Sequence, residues 1–555
     1  MEQGSRIKDQ GSGFGSGAHP CATASAPAMT ALERLNRVGF EAYLVGGCVR
    51  DSLLGREPGD WDITTAALPE QVETVFAGER IIETGLKHGT VTVLLEGTPL
   101  EITTFRTEAG YADHRHPDAV AFTPSLEEDL ARRDFTINAM AWCPEDHLIR
   151  SSVRTGAPSP QGEGSAWSPE TGLVDPFGGR ADLENKLIRC VGDPYQRFNE
   201  DALRILRALR FASQLDFNVD PATAAAAYEL RDTLALVSKE RIAAELTKLL
   251  CGPGARRILC EYWEILAVPL PELAPMAGLD QRCKYHCWDV LEHSAAALEA
   301  VPPEKLLRWA ALLHDVGKPA CFTLDEAGRG HFHGHAKVSA ALTREILTRL
   351  RFDKDTVSRV TALVELHDYP IDPPVEPGMQ NKAIGNGQQA TGEHPSVGAV
   401  IGRPHEAHAF EMQNAKCKMQ NVSSPGSGAQ CAPRQERNAE ERAVRRLIGK
   451  LGEEDFFRLL DLKRADALAH HPDYRGRTAA CDRIEALARE LLAQPPCFTV
   501  RDLAVNGGDL MALGVPEGPG IGKILNALLE AVLNGELPNE RETLLEAARR
   551  EGRKD

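Results

Sequence analysis

Two aspartates separated by one residue follow a glycine pair at a spacing that suits phosphate chemistry. The segment VGGCVRDSLLG (45–55) predicts a strand, a Gly-Gly turn and the start of a helix, and DWDITT (60–65) predicts a second strand. Since side chains alternate along a strand, Asp60 and Asp62 are expected on one face. Two such carboxylates stay ionised together when a divalent cation joins them, and their oxygens suit Mg²⁺. The turn adds backbone N–H groups that favour a phosphate. The pattern therefore indicates metal-assisted nucleotidyl transfer.

Other residues of the predicted first domain fit the same chemistry. Glu101 lies on a predicted neighbouring strand and is the candidate third carboxylate, the alternative being an ordinary surface glutamate. Gly46 and Gly47 permit close backbone approach to a triphosphate, and Arg50 offers a bidentate clamp for a phosphate. A Gly-Gly turn alone is a weak signal, but together with Arg50 and the aspartate pair it is a strong one.

A second basic element lies in RRDFTINAMAW (132–142). We expect Arg132 and Arg133 in the middle of a helix, where two adjacent side chains cannot share one face. At least one of these arginines is therefore placed to reach a triphosphate. The alternative is a solvated helix face, which is the usual role of an isolated Arg-Arg pair.

The segment EDALRILRALRFASQLDF (200–217) predicts a helix on which Asp201, Arg204 and Arg207 share one face. One interpretation is an ordinary ion pair on an amphipathic helix. The other is base selection, because cytosine and adenine each present an amino donor beside a ring-nitrogen acceptor, which a carboxylate and a guanidinium match. Uracil and guanine reverse this pattern and leave both protein groups unpaired, which is heavily penalised. The segment thus predicts selection of CTP and ATP without a nucleic-acid template.

Length and composition set the frame for these elements. The chain has 555 residues, a net charge of −17 and 13 cysteines. The length predicts three or four domains, and the acidic charge argues weakly against non-specific nucleic-acid binding. No apolar run is long enough to span a bilayer and no export signal is evident, so we expect a cytoplasmic protein with free thiols and no membrane partner. The oligomeric state stays open.

Periodicity predicts an α+β protein. Short apolar runs alternate with helix-like segments up to residue 150, and from about 180 onward helical periodicity replaces the strand signals. The predicted order is a small mixed β-sheet head, an all-α neck, a histidine-rich helical body and a helical tail. The expected ranges are a disordered extension 1–27, a head 28–180 with a disordered insertion 151–171, a neck 181–275, a body 280–490 with a disordered insertion 371–436, and a tail 495–555.

Taken together, these motifs resemble the class II tRNA nucleotidyltransferase and poly(A) polymerase family. GGCVRDSLLG…DWDITT, EITTFRTE, RRDFTINAMAW and EDALRILRALRF stand in the family's order and spacing. The resemblance implies that Asp60 and Asp62 bind Mg²⁺ and, with Glu101, form the catalytic carboxylates. It also implies a nucleotide-binding set, which comprises Gly46, Gly47, Arg50, Arg132, Arg133, Asn138, Asp201, Arg204, Arg207 and Arg210.

Two segments favour one branch of this family. TEAGYADHRHPDAVAF (107–122) looks like the family's flexible loop, whose presence implies addition of C, C and A rather than CC alone. The stretch 502–548 resembles the tail that contacts tRNA in bacterial members. The implied reaction adds C, C and A from CTP and ATP to the 3′ end of tRNA and releases pyrophosphate. A poly(A) polymerase is the nearest alternative, but no basic extension for general RNA binding is evident.

Histidines and aspartates around WAALLHDVGKP (309–319) resemble an HD-family metal domain. The resemblance implies that His293, His314, Asp315 and Asp466 form one metal position and that His335 and His367 complete a second, with a divalent transition metal as a further cofactor. Two interpretations stay open. The domain is an active phosphohydrolase that trims damaged RNA ends, or it is a retained helical body that positions tRNA. An HD phosphohydrolase with a vestigial transferase head is a further alternative for the whole chain.

Overall fold

The computed structural model describes residues 24–82, 85, 88–109, 119–144, 167–168, 172–370, 434–493 and 498–551. The chain divides into two compact units. The first comprises Met1–Tyr369 with Leu451–Asp482, and the second comprises Pro370–Lys450 with Arg483–Asp555. No helix among the described residues is long and apolar enough to cross a membrane.

An eight-stranded mixed sheet forms the centre of the first unit's N-terminal part. The strands of the chain are β1 Ala42–Val45, β2 Asp62–Thr65, β3 Arg80–Ile82, β4 Thr90–Leu95, β5 Thr98–Thr104, β6 Arg106–Ala109, β7 Ala119–Phe122, β8 Ala141–Trp142, β9 Trp167–Ser168, β10 Leu173–Val174, β11 Leu187–Ile188, β12 Asn218–Val219, β13 Thr323–Leu324 and β14 Gly330–His331. The large sheet has the order β3-β4-β5-β2-β1-β8-β10-β9, and β6 pairs with β7 in a separate hairpin. The α+β prediction is therefore confirmed.

Helices make up most of the rest of the described chain. They are α1 Ala26–Arg37, α2 Gly47–Leu53, α3 Pro69–Val75, α4 Leu126–Ala131, α5 Gly179–Glu184, α6 Pro194–Glu200, α7 Leu203–Leu215, α8 Pro221–Glu229, α9 Lys239–Leu250, α10 Ala255–Glu261, α11 Trp263–Leu266, α12 Val290–Ala300, α13 Lys305–Leu313, α14 Lys318–Cys321, α15 His335–Arg349, α16 Lys354–Leu366, α17 Arg434–Leu451, α18 Glu453–Ala469, α19 Arg477–Leu492, α20 Gly507–Ala512, α21 Pro519–Leu533 and α22 Arg541–Glu551.

Apolar burial fixes the strands that carry the predicted head site. All four residues of β1 are buried, and β4 alternates between half-buried and buried positions. Tyr43 and Val45 of β1 join Phe105, Leu126 and other side chains in one core cluster. A strand that alternates in burial, such as β4, resists a change of register, because a shift by one residue would turn its buried apolar side chains toward solvent. The sheet is thus a rigid support for the acidic residues at its strand ends.

The histidine-rich part is a bundle in which apolar helices surround polar side chains. Helix α12 packs on α13 and α18, and α13 also packs on α16. Every residue from Leu306 to Leu313 is buried, so α13 is the central helix of this region. A helix that is buried all round lies inside a core rather than at its surface. Polar residues at its end are therefore held by neighbours on several sides.

Helices form the described part of the second unit. Helices α20, α21 and α22 share an apolar core that includes Leu510, Leu528 and Leu544. Gly518 precedes the first residue of α21 with φ +150°. The segment GPGIGK (518–523) therefore forms the entry to this helix.

Several predicted boundaries are wrong. Helix α1 starts at Ala26, inside the extension 1–27, because Ser25 caps it and Pro27 suits the first turn. The long helix expected within 123–142 is short, since α4 ends at Ala131 and a 3₁₀ turn and a strand follow. Small two-stranded sheets also occur after residue 180. Of the insertions, 151–166, 169–171 and 371–433 lie outside the described residues, and β9 of the first insertion pairs with β10, which follows that insertion.

Candidate active site and metal cluster

Three carboxylates meet where strand β2 begins. Asp62 is the first residue of β2 and is aligned with Glu101 on the parallel neighbour β5. Asp60 lies two residues earlier, in the connection before the strand rather than within it as predicted. Burial, Asp60 and Glu101 together raise the pKa of Asp62 to about 6. Mutual repulsion of this kind is relieved by a bound divalent cation, so the donor set fits Mg²⁺.

The glycine turn lies beside an arginine. Gly46 has φ +81° and precedes the first residue of α2, Gly47. A Cβ atom at Gly46 would meet Nη1 of Arg133 at 3.1 Å. The left-handed backbone and the close guanidinium both exclude a side chain at this position. The turn therefore stays open next to a cation, as a phosphate site requires.

Arg50 is held in place from two sides. Its Nη1 donates to Oδ1 of Asn138 at 2.7 Å, and its Nε donates to Oδ1 of Asp51 at 2.9 Å. Its guanidinium carbon lies 5.1 Å from the ring centre of Phe211 on α7. Gly47, Arg50 and Asn138 from the predicted set are therefore close together, and Asp51 and Phe211 complete the group. The sequence motif alone did not single out the last two.

Asp129 organises the Arg-Arg pair. Its carboxylate is fully buried and accepts from Nε of Arg132 at 3.0 Å, while Nη2 of Arg133 lies 3.6 Å away. Thr64 on β2 donates to the same carboxylate at 3.1 Å. Burial opposes ionisation of Asp129, but the two arginines outweigh it and lower its pKa. The acidic residue three and four positions before Arg132 and Arg133 was the sequence signal for this contact.

Arg132 and Arg133 do not lie in the middle of a helix, which corrects the prediction. Helix α4 ends at Ala131, and Arg132 is its C-terminal cap. Beyond this cap, Oδ1 of Asp134 accepts from the backbone N–H of Phe135 at 2.9 Å. Such side-chain bonds compete with helical bonds and suit the irregular backbone that follows α4. Both guanidinium groups are consequently gathered on one carboxylate.

The predicted base-selecting residues do not share one helix face. Helix α6 ends at Glu200 and α7 begins at Leu203, so Asp201 lies between two helices. Oδ1 of Asp201 accepts from the backbone N–H of Leu203 at 3.0 Å, and its Oδ2 accepts from Arg241 of α9 at 2.6 Å. The first N–H groups of a helix have no acceptor within the helix, and Asp201 accepts from one of them at the start of α7. The expected single helix over 200–217 is wrong at its start.

Arg204 has partners of its own at the start of α7. It pairs with Glu200 and donates to the backbone carbonyl of Arg132 at 3.2 Å. Asp201 and Arg204 thus each hold a separate counterion, Arg241 and Glu200 respectively. Asp201 and Arg204 are nevertheless three residues apart at the start of α7, and each is held in place by its own counterion.

Arg207 and Arg210 point to buried acids. Nε of Arg207 donates to Oδ2 of Asp134 at 2.8 Å, and Nε of Arg210 lies 2.5 Å from Oε2 of Glu245 on α9. Burial alone would raise the pKa of Asp134, but Arg207 and Arg204 outweigh it and lower the pKa to about 2. Helix α9 thus supplies Glu245, as it supplies Arg241 to Asp201.

The histidine-rich region gathers His293, His314 and Asp315 into one group. Their ligand atoms lie within 4.8 Å of one another, and all three residues are buried. The Nε2 atoms of His293 and His314 are 3.4 Å apart, and Nε2 of His293 lies 2.9 Å from Oδ1 of Asp466. Imidazole and carboxylate groups converging in this way suit a divalent transition ion. The four residues predicted for one position are therefore together.

Asp315 also belongs to a second group. Its Oδ1 lies 3.2 Å from Nε2 of His335 and 3.7 Å from Nε2 of His367. Its Oδ2 lies 3.1 Å from Nε2 of His314, so one carboxylate connects both predicted positions. The structure thus brings together all six predicted residues of this cluster.

Backbone carbonyls orient three of these imidazoles. Nδ1 of His314 lies 2.8 Å from the carbonyl oxygen of Ala311. Nδ1 of His335 lies 2.9 Å from the carbonyl oxygen of Phe332, and Nδ1 of His367 lies 2.6 Å from that of Val364. An Nδ1–H that donates to a carbonyl leaves Nε2 as the free lone pair, which is the usual arrangement of a metal-binding histidine. The donor set of the cluster therefore fits a metal.

Family comparisons match four parts of the chain. The poly A polymerase head domain matches residues 42–189, the RNA and SrmB-binding site of polymerase A matches 216–276, the HD domain matches 284–471, and tRNA nucleotidyltransferase domain 2 matches 473–548.

The relatives are CCA-adding enzymes. The enzyme of Limosilactobacillus fermentum is 31% identical over 528 residues, covering 94% of this chain and 96% of the relative, and that of Levilactobacillus brevis is 33% identical over 519 residues, covering 93% and 95%. The enzyme of Geobacillus thermodenitrificans is 44% identical over 291 residues, covering 52% of this chain and 63% of the relative. The first curated relatives are thus matched over about half to two thirds of their length.

A solved structure supports the same assignment. The Bacillus stearothermophilus CCA-adding enzyme in complex with CTP has a TM-score of 0.59 and 28% identity, and the alignment covers 95% of this chain and 97% of that one. Identity above 30% over nearly the whole length of two relatives, and the shared head and HD domains, place the sequence. The chain belongs to the family of CCA-adding enzymes.

Proposed function

We propose that this protein adds C, C and A to the 3′ end of tRNA, using CTP and ATP and releasing pyrophosphate. The observation that carries the proposal is the meeting of Asp60, Asp62 and Glu101 beside the open Gly46 turn. The tail matched by tRNA nucleotidyltransferase domain 2 favours tRNA as the acceptor over RNA in general. Since nucleoside triphosphates and tRNA meet in the cytoplasm, we place the reaction there.

Asp60, Asp62 and Glu101 would hold Mg²⁺, which supplies charge neutralisation at the reacting phosphate. The Gly46–Gly47 turn binds the triphosphate, and Arg50 and Arg133 beside it offset its charge. These groups hold the α-phosphate while the 3′-hydroxyl of tRNA attacks it and pyrophosphate leaves. Positioning and charge stabilisation account for most of the catalysis in phosphoryl transfer.

Asp201 and Arg204 read the incoming base in this proposal. Asp201 accepts from the exocyclic amino group of cytosine or adenine, and Arg204 donates to the adjacent ring nitrogen. Their separate counterions, Arg241 and Glu200, hold the two groups in a fixed orientation before the base arrives. Preorganised polar groups reject a base of reversed pattern, because they would be left unpaired.

An incorporation assay tests the proposed reaction. The protein is incubated with tRNA that lacks its 3′ end, with Mg²⁺ and with each labelled nucleotide alone and in combination. Ordered addition of C, C and A is the expected result. Long A tails would instead show a poly(A) polymerase, and absence of incorporation would contradict both activities.

The base-selection step has its own test. We predict that Asp201→Ala relaxes discrimination against UTP and GTP by about tenfold or more, since an unmatched, half-buried carboxylate is the main penalty for those bases. The measurement is the ratio of kcat/KM for CTP to that for UTP. Glu184→Ala, a change of an exposed acid on α5, is the control. An equal fall in rate for all four nucleotides would contradict the pairing argument.

The histidine cluster favours a second activity. We propose that His293, His314, Asp315, His335, His367 and Asp466 hold divalent transition metal and that this region removes phosphate from RNA ends. The supporting observation is Asp315, whose two oxygens face two groups of imidazoles. Release of inorganic phosphate from a 3′-phosphorylated RNA in the presence of Mn²⁺ tests it. Metal binding without phosphate release would leave a positioning role alone.

A further inference from the structure

Two tyrosines and a lysine form a surface that neither proposed reaction uses. Tyr285 is 46% exposed, and its ring centre lies 4.8 Å from that of Tyr474 at an interplanar angle of 77°. Nζ of Lys284 lies 5.2 Å from the ring centre of Tyr285 and 5.7 Å from that of Tyr474. We call Lys284, Tyr285 and Tyr474 the tyrosine platform. Because the rings meet edge to face, the ring that presents its edge keeps both faces free of its partner.

The platform is attached to the histidine cluster. The backbone N–H of His471 donates to the carbonyl oxygen of Tyr285 at 2.9 Å, which joins the two loops that carry the tyrosines. His286, the next residue after Tyr285, lies 4.9 Å from the ring of His293 and 4.5 Å from that of His470. Tyr285 thus immediately precedes His286, which packs on His293 of the cluster, and Tyr474 shortly follows His470, which packs on His286.

A lysine connects His286 to the cluster more directly. Nζ of Lys318 lies 3.4 Å from Nε2 of His286 and 2.6 Å from Oδ2 of Asp315. Lys318 is buried, so its charge is directed inward rather than to solvent. The loop that carries Tyr285 therefore also carries His286, which Lys318 of α14 joins to the carboxylate shared by both metal positions.

The charge around the platform suits a nucleic acid. Lys284, Arg282 and Arg475 are all exposed in these two loops, although the whole chain has a net charge of −17. Oδ2 of Asp473 lies 3.5 Å from Nδ1 of His471, and this side chain is 80% exposed. Single-stranded nucleic acid is bound where basic groups track phosphates and exposed aromatic rings stack on bases. The exposed Tyr285 and the half-buried Tyr474 beside Lys284 match this chemistry.

We infer that the tyrosine platform stacks an unpaired base of an RNA 3′ end and so delivers the adjoining phosphate to the histidine cluster. The inference rests on the proposed phosphohydrolase for the delivery step, and it names that activity's substrate class as single-stranded RNA ending in a phosphate. The stacking step stands on the platform alone.

Photo-crosslinking tests the stacking step in the full-length protein. The probe is an unstructured RNA of about eight nucleotides with a 3′-phosphate and 5-iodouridine next to its last residue. Illumination joins iodouridine to an aromatic ring stacked on it, and mass spectrometry locates the crosslink. We expect crosslinks at Tyr285 or Tyr474 without added metal. Crosslinks confined to residues 28–275 would overturn the inference.

Matched variants separate stacking from folding. Tyr285→Phe keeps the ring and should retain crosslinking and affinity, whereas Tyr285→Leu removes the ring and should weaken RNA binding about fivefold or more. Binding is measured by fluorescence anisotropy of the same RNA. Equal affinities of the Phe and Leu variants would overturn the inference, because stacking requires an aromatic face.

A lysine pair supplies the charge control. Lys284 and Lys305 each lie about 5 Å from an aromatic ring, that of Tyr285 and that of Phe352 respectively. We expect Lys284→Gln to weaken RNA binding and Lys305→Gln to leave it within about twofold. Equal weakening by both would show a diffuse charge effect and contradict the platform.

Measurement of phosphate release in the presence of Mn²⁺ distinguishes the stacking proposal from the phosphohydrolase proposal. Crosslinks on the platform without phosphate release would support stacking and contradict the phosphohydrolase. Phosphate release unaffected by Tyr285→Leu, together with crosslinks elsewhere, would support the phosphohydrolase and overturn the platform.

Discussion

The carboxylates of the sheet and the histidine cluster are two candidate cation sites that differ in how the protein compensates their negative charge. In the sheet, Asp62 has Asp60 and Glu101 as close acidic neighbours, and its pKa is raised to about 6. In the cluster, burial opposes ionisation of Asp315, but His314 and Lys318 outweigh it and hold its pKa well below the usual range. One acidic group is therefore poorly compensated by the protein, and the other is fully compensated.

This difference indicates which kind of metal binding suits each region. A set of carboxylates whose negative charge is poorly compensated is stabilised most by a cation that arrives with a polyphosphate. Mg²⁺ is such a cation, because it binds hard oxygen donors. A buried set of imidazoles oriented by backbone carbonyls is prepared for a resident ion. The first region is suited to a metal that enters and leaves with substrate, and the second to one that stays.

The largest expected effect is loss of nucleotide transfer in the sheet region alone. We predict that Asp62→Asn lowers incorporation of labelled CTP into truncated tRNA by about 10³-fold or more, because charge neutralisation at the reacting phosphate contributes several kcal/mol. Single-turnover kinetics measure the effect. Metal retained by the histidine cluster after dialysis should not change, and a parallel loss there would remove the distinction between the two regions.

The reciprocal change should affect only the cluster. Asp315→Asn removes the carboxylate that faces both groups of imidazoles, so we expect the affinity for Mn²⁺ at this region to fall at least about 100-fold. Calorimetric titration of the metal-free protein measures this affinity. Addition of C and A to tRNA should stay within about twofold of wild type. A collapse of both functions would show that the two regions depend on each other.

The smallest expected effect is on stability and depends on pH. Folded Asp62 has a pKa of about 6 and an unfolded aspartate about 3.9, so the folded state binds more protons between these values. The contribution of Asp62 to stability therefore falls as the pH rises from about 4 to 6. Without metal, we predict that Asp62→Asn stabilises the protein by about 1 to 2 kcal/mol at pH 7 and hardly at pH 4.

Thermal unfolding in the presence of a chelator measures this difference. Asp193→Asn, which changes the cap of α6 and not the carboxylate group, is a control for loss of one negative charge. A destabilised Asp62→Asn protein at pH 7 would mean that the carboxylates are already compensated by cations of the protein, and the contrast with Asp315 would disappear.

The strands and the metal-type residues could be predicted from local patterns. Strand β1 follows a continuous apolar run and β4 an alternating one, and the His314-Asp315 pair directly follows the buried helix α13. The counterion of Asp201 could not be predicted, because Arg241 lies forty residues away along the chain. A helical repeat describes only neighbours along the chain, and this carboxylate has its partner on another helix.

The sequence by itself determined which groups are present and that they come in order: the glycine turn, the aspartates, the arginine segments and the histidines. These motifs are local, since they depend on strand alternation, turn geometry and helix spacing. Only the tertiary structure decided which charges compensate one another. Asp134 pairs with Arg207, Glu245 pairs with Arg210, and the carboxylate of Asp315 faces two groups of imidazoles. Such pairings are set by the packing of distant elements, because the strength of an ion pair depends on distance and burial.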